Sequence, residues 1–174
     1  MIKRILVGLS GTNYTPVAVR HAIDLATRHD AEVTGVTVVD LARLESVGPV
    51  PIGAGLYAQE LREHRVKAAR EGVQRCLDEF SAACHAAGVR HTTDHEEGES
   101  FSLMINLARY HDLMVFGLKA LFEEDVVSNP QDALVQLVTA GVRPILAVGP
   151  QYREVRRVLI AYSGSMESAK TFKR

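Results

Sequence analysis

Nothing in this sequence supports a disulfide-stapled fold. It has two cysteines in 174 residues, Cys76 and Cys84, and no Cys-x-x-Cys pair. That count fits a reducing compartment. Long apolar runs are also lacking. None approaches the ~20 residues needed to cross a bilayer. The opening, "MIKRILVGLSG", reaches glycine too soon for a signal peptide's apolar core and cleavage site. Neither charge sign is in excess: 20 Lys and Arg face 21 Asp and Glu, a formal net charge of −1. Such a balance gives nucleic acid or an anionic membrane no electrostatic partner. A cytoplasmic protein that binds neither is the expectation. No Gly-x-Ser-x-Gly, Walker loop or Cys/His pair is present either, so no catalytic residues are assigned.

What the chain does have is alternation. "RILVGL" (Arg4–Leu9) is a short apolar run rich in branched residues, as expected of a strand covered on both faces. A helix follows: Thr15 as cap, Pro16 at the first helical position, and Val19, Ala22, Ile23 and Ala26 as its apolar stripe. "AEVTGVTVVD" is a second strand, and "SVGPVPIGAG" (Ser46–Gly55) a Gly/Pro loop. Val66, Ala69, Val73, Cys76, Leu77, Phe80, Cys84 and Ala87 then recur at three- and four-residue steps, forming one face of a long helix that stops at Gly88. The two cysteines fall on this core-facing stripe and are expected to be small apolar residues, not redox partners.

"VRHTTDHEEG" is a weaker, polar third strand. His91 and His95 share one face of it, with Asp94, Glu96 and Glu97 nearby, but a solvated strand end is the expectation and no metal is assigned. A helix starts at Ser100 and carries Phe101, Met104, Ile105 and Ala108. "DLMVFG" is a fourth strand, "QDALVQLVTAG" a short helix, and "RPILAVG" a fifth strand.

Near-continuous apolar strands alternating with helices imply an α/β fold. The expected form is an open five-stranded parallel sheet with helices on both faces, Rossmann-like. Ligands of such sheets sit beyond the carboxyl ends of the strands. The stretches to watch are therefore "SGTN" after strand one, "VVD" after strand two and "GLKA" after strand four.

The chain also repeats itself. With Arg4 set against Arg157, Leu6 meets Leu159, Ser10 meets Ser163, Gly11 meets Gly164 and Thr12 meets Ser165. Self-similarity at this separation suggests a tandem duplication. The expected organisation is one unit over 1–149, a linker over 150–155, and the first strand and helix start of a truncated second unit over 156–174. "RRVLIAY" (156–162) is then a hydrophobic strand without its own sheet, an adhesive edge expected to dock on another chain.

The segments "RILVGLSGT", "GESFSLMINLARYHDLMVFG" and "RPILAVG" resemble the universal stress protein family over residues 3–149. The landmarks are Ser10-Gly11-Thr12, Gly98, Asp112 to Gly117, and Pro144. The resemblance implies an adenine nucleotide alpha hydrolase-like fold and, in part of the family, ATP binding. The family's phosphate loop runs Gly, two residues, Gly, nine residues, then Gly-Ser or Gly-Thr, its glycines letting backbone N–H groups approach phosphate oxygens.

Here Gly117 matches the first glycine, but Ala120 replaces the second. Pro130 to Asp132 fall where Gly-Ser belongs, Ser10 replaces the family's Asp, and Glu123, Glu124 and Asp125 add negative charge. Proline has no amide hydrogen to offer. The expectation is therefore no cofactor, with ATP or AMP as the alternative. The positions that would contact a nucleotide are Gly8, Leu9, Ser10, Gly11, Thr12, Val38, Val39, Asp40, Gly117 and Ala120. Family units pair through their last strands, which implies a homodimer through Pro144–Val148 and the 156–162 strand, with the lost second unit as a further partner. The function expected is a stress-response module acting by protein association. An adenine-nucleotide binder with weak or no hydrolysis is the alternative.

Overall fold

The structure, a computed structural model, describes residues 1–39, 55–97, 105–117 and 143–171. Five strands make one parallel sheet: β1 (Arg4–Gly8), β2 (Glu32–Val39), β3 (His91–Glu97), β4 (Leu113–Gly117) and β5 (Ile145–Val148). Their order is β3-β2-β1-β4-β5. The helices are α1 (Thr15–His29), α2 (Gly55–Ala86) and α3 (Met166–Thr171). Residues 105–108 add one helical turn.

The burial of each strand follows its place in the sheet. β1 is central, paired with β2 on one side and β4 on the other. Its Ile5, Leu6 and Val7 are fully buried because both faces are covered. Ile5, Val7, Val33 and Val115 face the layer that includes Ala18 and Ala22 of α1 and Phe80 and Cys84 of α2. Leu6, Val36, Met114 and Phe116 face the other way, toward Ile105 and Ala108. β3 lies at an edge and pairs only with β2. That placement explains how a strand reading His-Thr-Thr-Asp-His-Glu-Glu is tolerated.

Two expectations need correction. Thr15 does not cap α1. It is the first helical residue; Tyr14 is the N-cap and offers no side-chain hydrogen bond. The Thr15 hydroxyl points back to Ser10 instead, at 3.1 Å. The apolar stripe of α2 is also not buried along its length. Ala58, Phe80 and Cys84 are buried, whereas Val66, Ala69 and Val73 are only half-covered. Geometry supplies the reason. A helix of 32 residues runs about 48 Å, while the eight residues of β2 cover about 26 Å. The helix outruns the sheet, so only its last turns lie against it. It stops as expected before Gly88, whose φ of +66° is left-handed.

After β5 the chain folds back along α1. Tyr152 donates a hydrogen bond from its hydroxyl to Asp24 Oδ2. Its ring lies against His21, centroids 4.6 Å apart, and under the Arg20 guanidinium at 3.8 Å. Glu154 then pairs with Arg28 at 3.4 Å. Beyond it, residues 156–162 belong to no strand, and Val158 and Leu159 are 75% and 97% exposed. The proposed helix from Ser100 through Met104, the stretch 118–130, the helix over 131–141, and the positions Asp40 and Ala120 lie outside the described residues.

Candidate functional site

The chain turns from β1 to β2 and β3 on one side of the sheet, then crosses to β4 and β5 on the other. The carboxyl ends of β1 and β4 therefore diverge at a switch point, the place where open α/β sheets form a ligand crevice. Gly8 ends β1 there and Gly117 ends β4. Leu9 extends the pairing by one rung, its N–H donating to Val36 O at 2.8 Å. Val38 and Val39 bring the end of β2 to the same edge of the sheet.

The turn after β1 is closed by hydroxyls. Gly11 takes a φ of +72°, a region costly for any residue with a Cβ. Ser10 Oγ lies 3.0 Å from Thr12 Oγ1 and 3.1 Å from Thr15 Oγ1. The Tyr14 N–H donates to Thr12 Oγ1 at 3.4 Å. Cys76 of α2 sits beside this turn: a Cβ on Gly11 would come within 3.4 Å of its Sγ. Burial, with Glu79 adding to it, pushes the Cys76 thiol pKa up. Burial pushes Cys84 further, to about 11. Both are thiols rather than thiolates at neutral pH, a state of low nucleophilicity.

Gly8, Leu9, Ser10, Gly11 and Thr12 thus meet the end of β2 and Gly117 at one end of the sheet. Gly8, however, is explained by packing on the far face. A Cβ there would lie 2.4 Å from Phe116 Cδ1. The pairing of a glycine with a phenylalanine on the neighbouring strand could not be read from a single sequence, because nothing in it gives the β1–β4 register.

The strand-three histidines serve the fold. His91 Nδ1 is 3.2 Å from Val89 O, and its ring stands edge-on to Phe80, centroids 5.7 Å apart. His95 Nδ1 is 3.0 Å from Thr37 Oγ1. Among the described residues no three His, Cys, Asp or Glu side chains gather as a metal site, and no helix is long and apolar enough to cross a membrane.

Asp112 gains a role that the motif did not explain. Its Oδ2 accepts the N–H groups of Lys3 at 2.8 Å and Arg4 at 3.0 Å, and its own N–H donates to Arg4 O at 2.8 Å. It ties the start of β1 to the start of β4. The Lys3 hydrogen bond, then the Arg4 one, holds the carboxyl below its ordinary range against the opposing effect of burial.

A sheet of this order, with a Ser-Gly-Thr turn at the switch point and an aspartate latch before β4, accompanies a match of residues 1–138 to the model of the universal stress protein family. The chain belongs to the universal stress protein family. No curated protein matches its sequence. Solved structures with similar folds include a universal stress protein family member from Burkholderia pseudomallei, at 22% identity and a TM-score of 0.57 over 84% of this chain and 96% of that one. A universal stress protein in complex with cAMP aligns at 17% identity and a TM-score of 0.55, over 86% and 98% of the two chains. An Arabidopsis thaliana universal stress protein family protein with AMP bound aligns at 14% and 0.56, over 88% and 93%.

Proposed function

We propose that this universal stress protein family member acts mainly by associating with other protein, and that it does not hold a nucleoside triphosphate tightly. The observation that carries the reading is the sequence after β4. Ala120 stands where the family has a second glycine, Pro130 to Asp132 stand where Gly-Ser belongs, and Glu123, Glu124 and Asp125 lie between. Each lost backbone contact to phosphate costs about 1–3 kcal/mol. Like charges ~4 Å apart in partly wet protein add a few kcal/mol of repulsion. A change of about 4 kcal/mol already moves a micromolar site to millimolar.

The contact surfaces are the outer edge of β5, in Pro144–Val148, and the segment 156–162, joining two copies of the chain. Supporting this, β5 is the last strand on its side of the sheet, with Ala147 exposed. Light scattering of the whole chain is expected to give a dimer that Ala147→Lys weakens. A monomer at high concentration contradicts the reading.

A second reading is favoured by the relatives bound to cAMP and AMP. Their ligands carry one phosphate, and the adenosine end of the crevice, Gly8 to Thr12 with Val38 to Asp40, retains most of the family pattern here. On this reading the chain binds an adenine monophosphate, with weak or no hydrolysis of ATP. Calorimetry separates the two. No saturable heat with Mg-ATP below millimolar concentration is expected. Micromolar Mg-ATP binding would remove the association-only reading, and saturable AMP binding without Mg-ATP binding would select the second.

A further inference from the structure

We infer that the end of the sheet at which the strands begin carries a docking site for an acidic, extended segment of another protein, with Arg4, Arg109, Arg143 and Tyr110 as its contact residues. The inference rests on the association reading above and names the chemistry of one partner.

Because all neighbouring strands are parallel, their first residues gather at one end of the sheet, opposite the switch-point crevice. Basic residues recur there. Arg4 opens β1, and Arg90, Arg109 and Arg143 stand shortly before β3, β4 and β5. These cations fall into two groups. Arg90 and Lys3 are ion-paired with Asp30, at 3.1 and 3.6 Å. Arg4, Arg109 and Arg143 are exposed, and among the described residues none of them makes an ion pair. Carbonyl oxygens position two of them instead. Arg4 Nη1 donates to Tyr110 O at 3.4 Å, and Arg143 Nη2 donates to Arg109 O at 3.1 Å. Guanidinium groups from β1 and from the chain before β5 thus reach consecutive carbonyls of one turn. Each of these groups keeps its full charge and most of its five N–H donors for a ligand.

Two carboxylates stand beside the turn without cancelling it. Asp112 directs Oδ2 to the Lys3 and Arg4 N–H groups. Glu32 lies opposite Arg4 in the strand register, yet no ion pair joins them. Arg4, Arg109 and Arg143 against Asp112 and Glu32 leave a local positive excess in a chain whose net charge is −1. The Arg143 side chain reaches toward the turn before β4, which leaves the outer edge of β5 to the contact proposed above.

Charge and shape name the occupant. Arginine forks match carboxylates in bidentate pairs. Alternate residues of an extended chain lie on one face about 7 Å apart, so carboxylates at that spacing can engage two neighbouring guanidinium groups at once. Tyr110 is 69% exposed in the same turn and offers a ring for an apolar residue between them. Exposed tyrosine flanked by arginine is the composition of protein–protein hot spots. A long polyanion fits less well. Nucleic-acid surfaces are extended basic stripes on domains of pI above about 9, and anionic lipid calls for a larger cluster of Lys and Arg. Here the sequence pI is about 6.7, and the excess is confined to one turn.

The test is fluorescence anisotropy of a labelled peptide that alternates glutamate with phenylalanine, titrated with the full chain. Saturation below about 100 μM is expected in about 50 mM salt, weakening about tenfold in about 300 mM salt. Arg4→Gln combined with Arg143→Gln is expected to weaken binding at least about tenfold, and Tyr110→Ser about threefold. Arg90→Gln, at the same end of the sheet but paired with Asp30, is expected to stay within about twofold of wild type. No saturation below about 1 mM, unchanged affinity in the double variant, or an equal loss in Arg90→Gln overturns the site. A single-stranded oligonucleotide or phosphatidylserine vesicles held more tightly than the peptide, and released by the same double variant, overturn the choice of a protein partner. If the double variant does not fold, Arg109→Gln combined with Tyr110→Ser decides by the same criterion. A light-scattering monomer that still binds the peptide removes the β5 dimer and keeps this site, whereas a dimer that ignores the peptide does the reverse.

Discussion

Asp112 illustrates how a motif residue earns its place by backbone chemistry. One carboxylate oxygen takes two N–H groups at the entry of β1, and those donors have no partner in a ladder that has not yet begun. Asp112→Asn is expected to cost about 1 kcal/mol at pH 7, the low end for a charged acceptor because solvent screens it. The folded carboxyl titrates lower than the unfolded one, so its contribution is full above about pH 4 and is lost as pH falls through the folded value. Urea titrations at pH 7 and pH 3 are expected to show a gap between wild type and variant that closes in acid. His21 makes stability fall with pH in the same direction, but because burial penalises its charged form rather than because partners favour it. It is buried, and burial lowers its pKa, outweighing the pull of Asp24; Arg20 lowers it further. Below about pH 6.5 the unfolded chain takes up a proton that the folded chain refuses. Stability is expected to fall from pH 7 to pH 5.5 in wild type and to fall less in His21→Gln, as read from melting temperatures at each pH.

At the scale of elements, α2 and the post-β5 segment qualify what periodicity can say. The apolar stripe of α2 was legible as a helix face, and Phe80 and Cys84 are indeed buried. Val66, Ala69 and Val73 are only half-covered, because the sheet is about half as long as the helix, and a stripe carries no information about the length of its partner. The clasp of Tyr152 on Asp24, His21 and Arg20 had no sequence signal. It joins residues about 130 positions apart, and Tyr152 sits in what composition marks only as a linker. Tyr152→Ala is expected to leave the melting temperature within about 2–4 °C of wild type. Amide exchange over residues 150–156 is expected to speed up many-fold, since the ring and hydroxyl are what fix that segment to α1. Unchanged exchange there would mean that the Arg28–Glu154 pair suffices.

For the whole molecule, the parallel sheet and its switch point follow from short branched strands alternating with helices, and the register decides what meets at the site. Gly8, named from sequence as a ligand-approach glycine, also meets a packing requirement: a Cβ there would clash with Phe116 on the neighbouring strand. Thr15 looked like a cap and is part of a hydroxyl cluster with Ser10. The Ser-Gly-Thr turn itself was legible, because left-handed glycine and neighbouring hydroxyls are local requirements.

The sequence alone determined the strand–helix alternation, the family, the repeat of the first turn in the tail, and the substitutions in the phosphate loop. All of these are encoded by residues near one another in the chain. Only the tertiary structure decided which glycine a phenylalanine covers, how much of α2 is buried, and where the chain after β5 is held. Those depend on register and on contacts between distant segments, and hydrophobic periodicity fixes faces without fixing their partners.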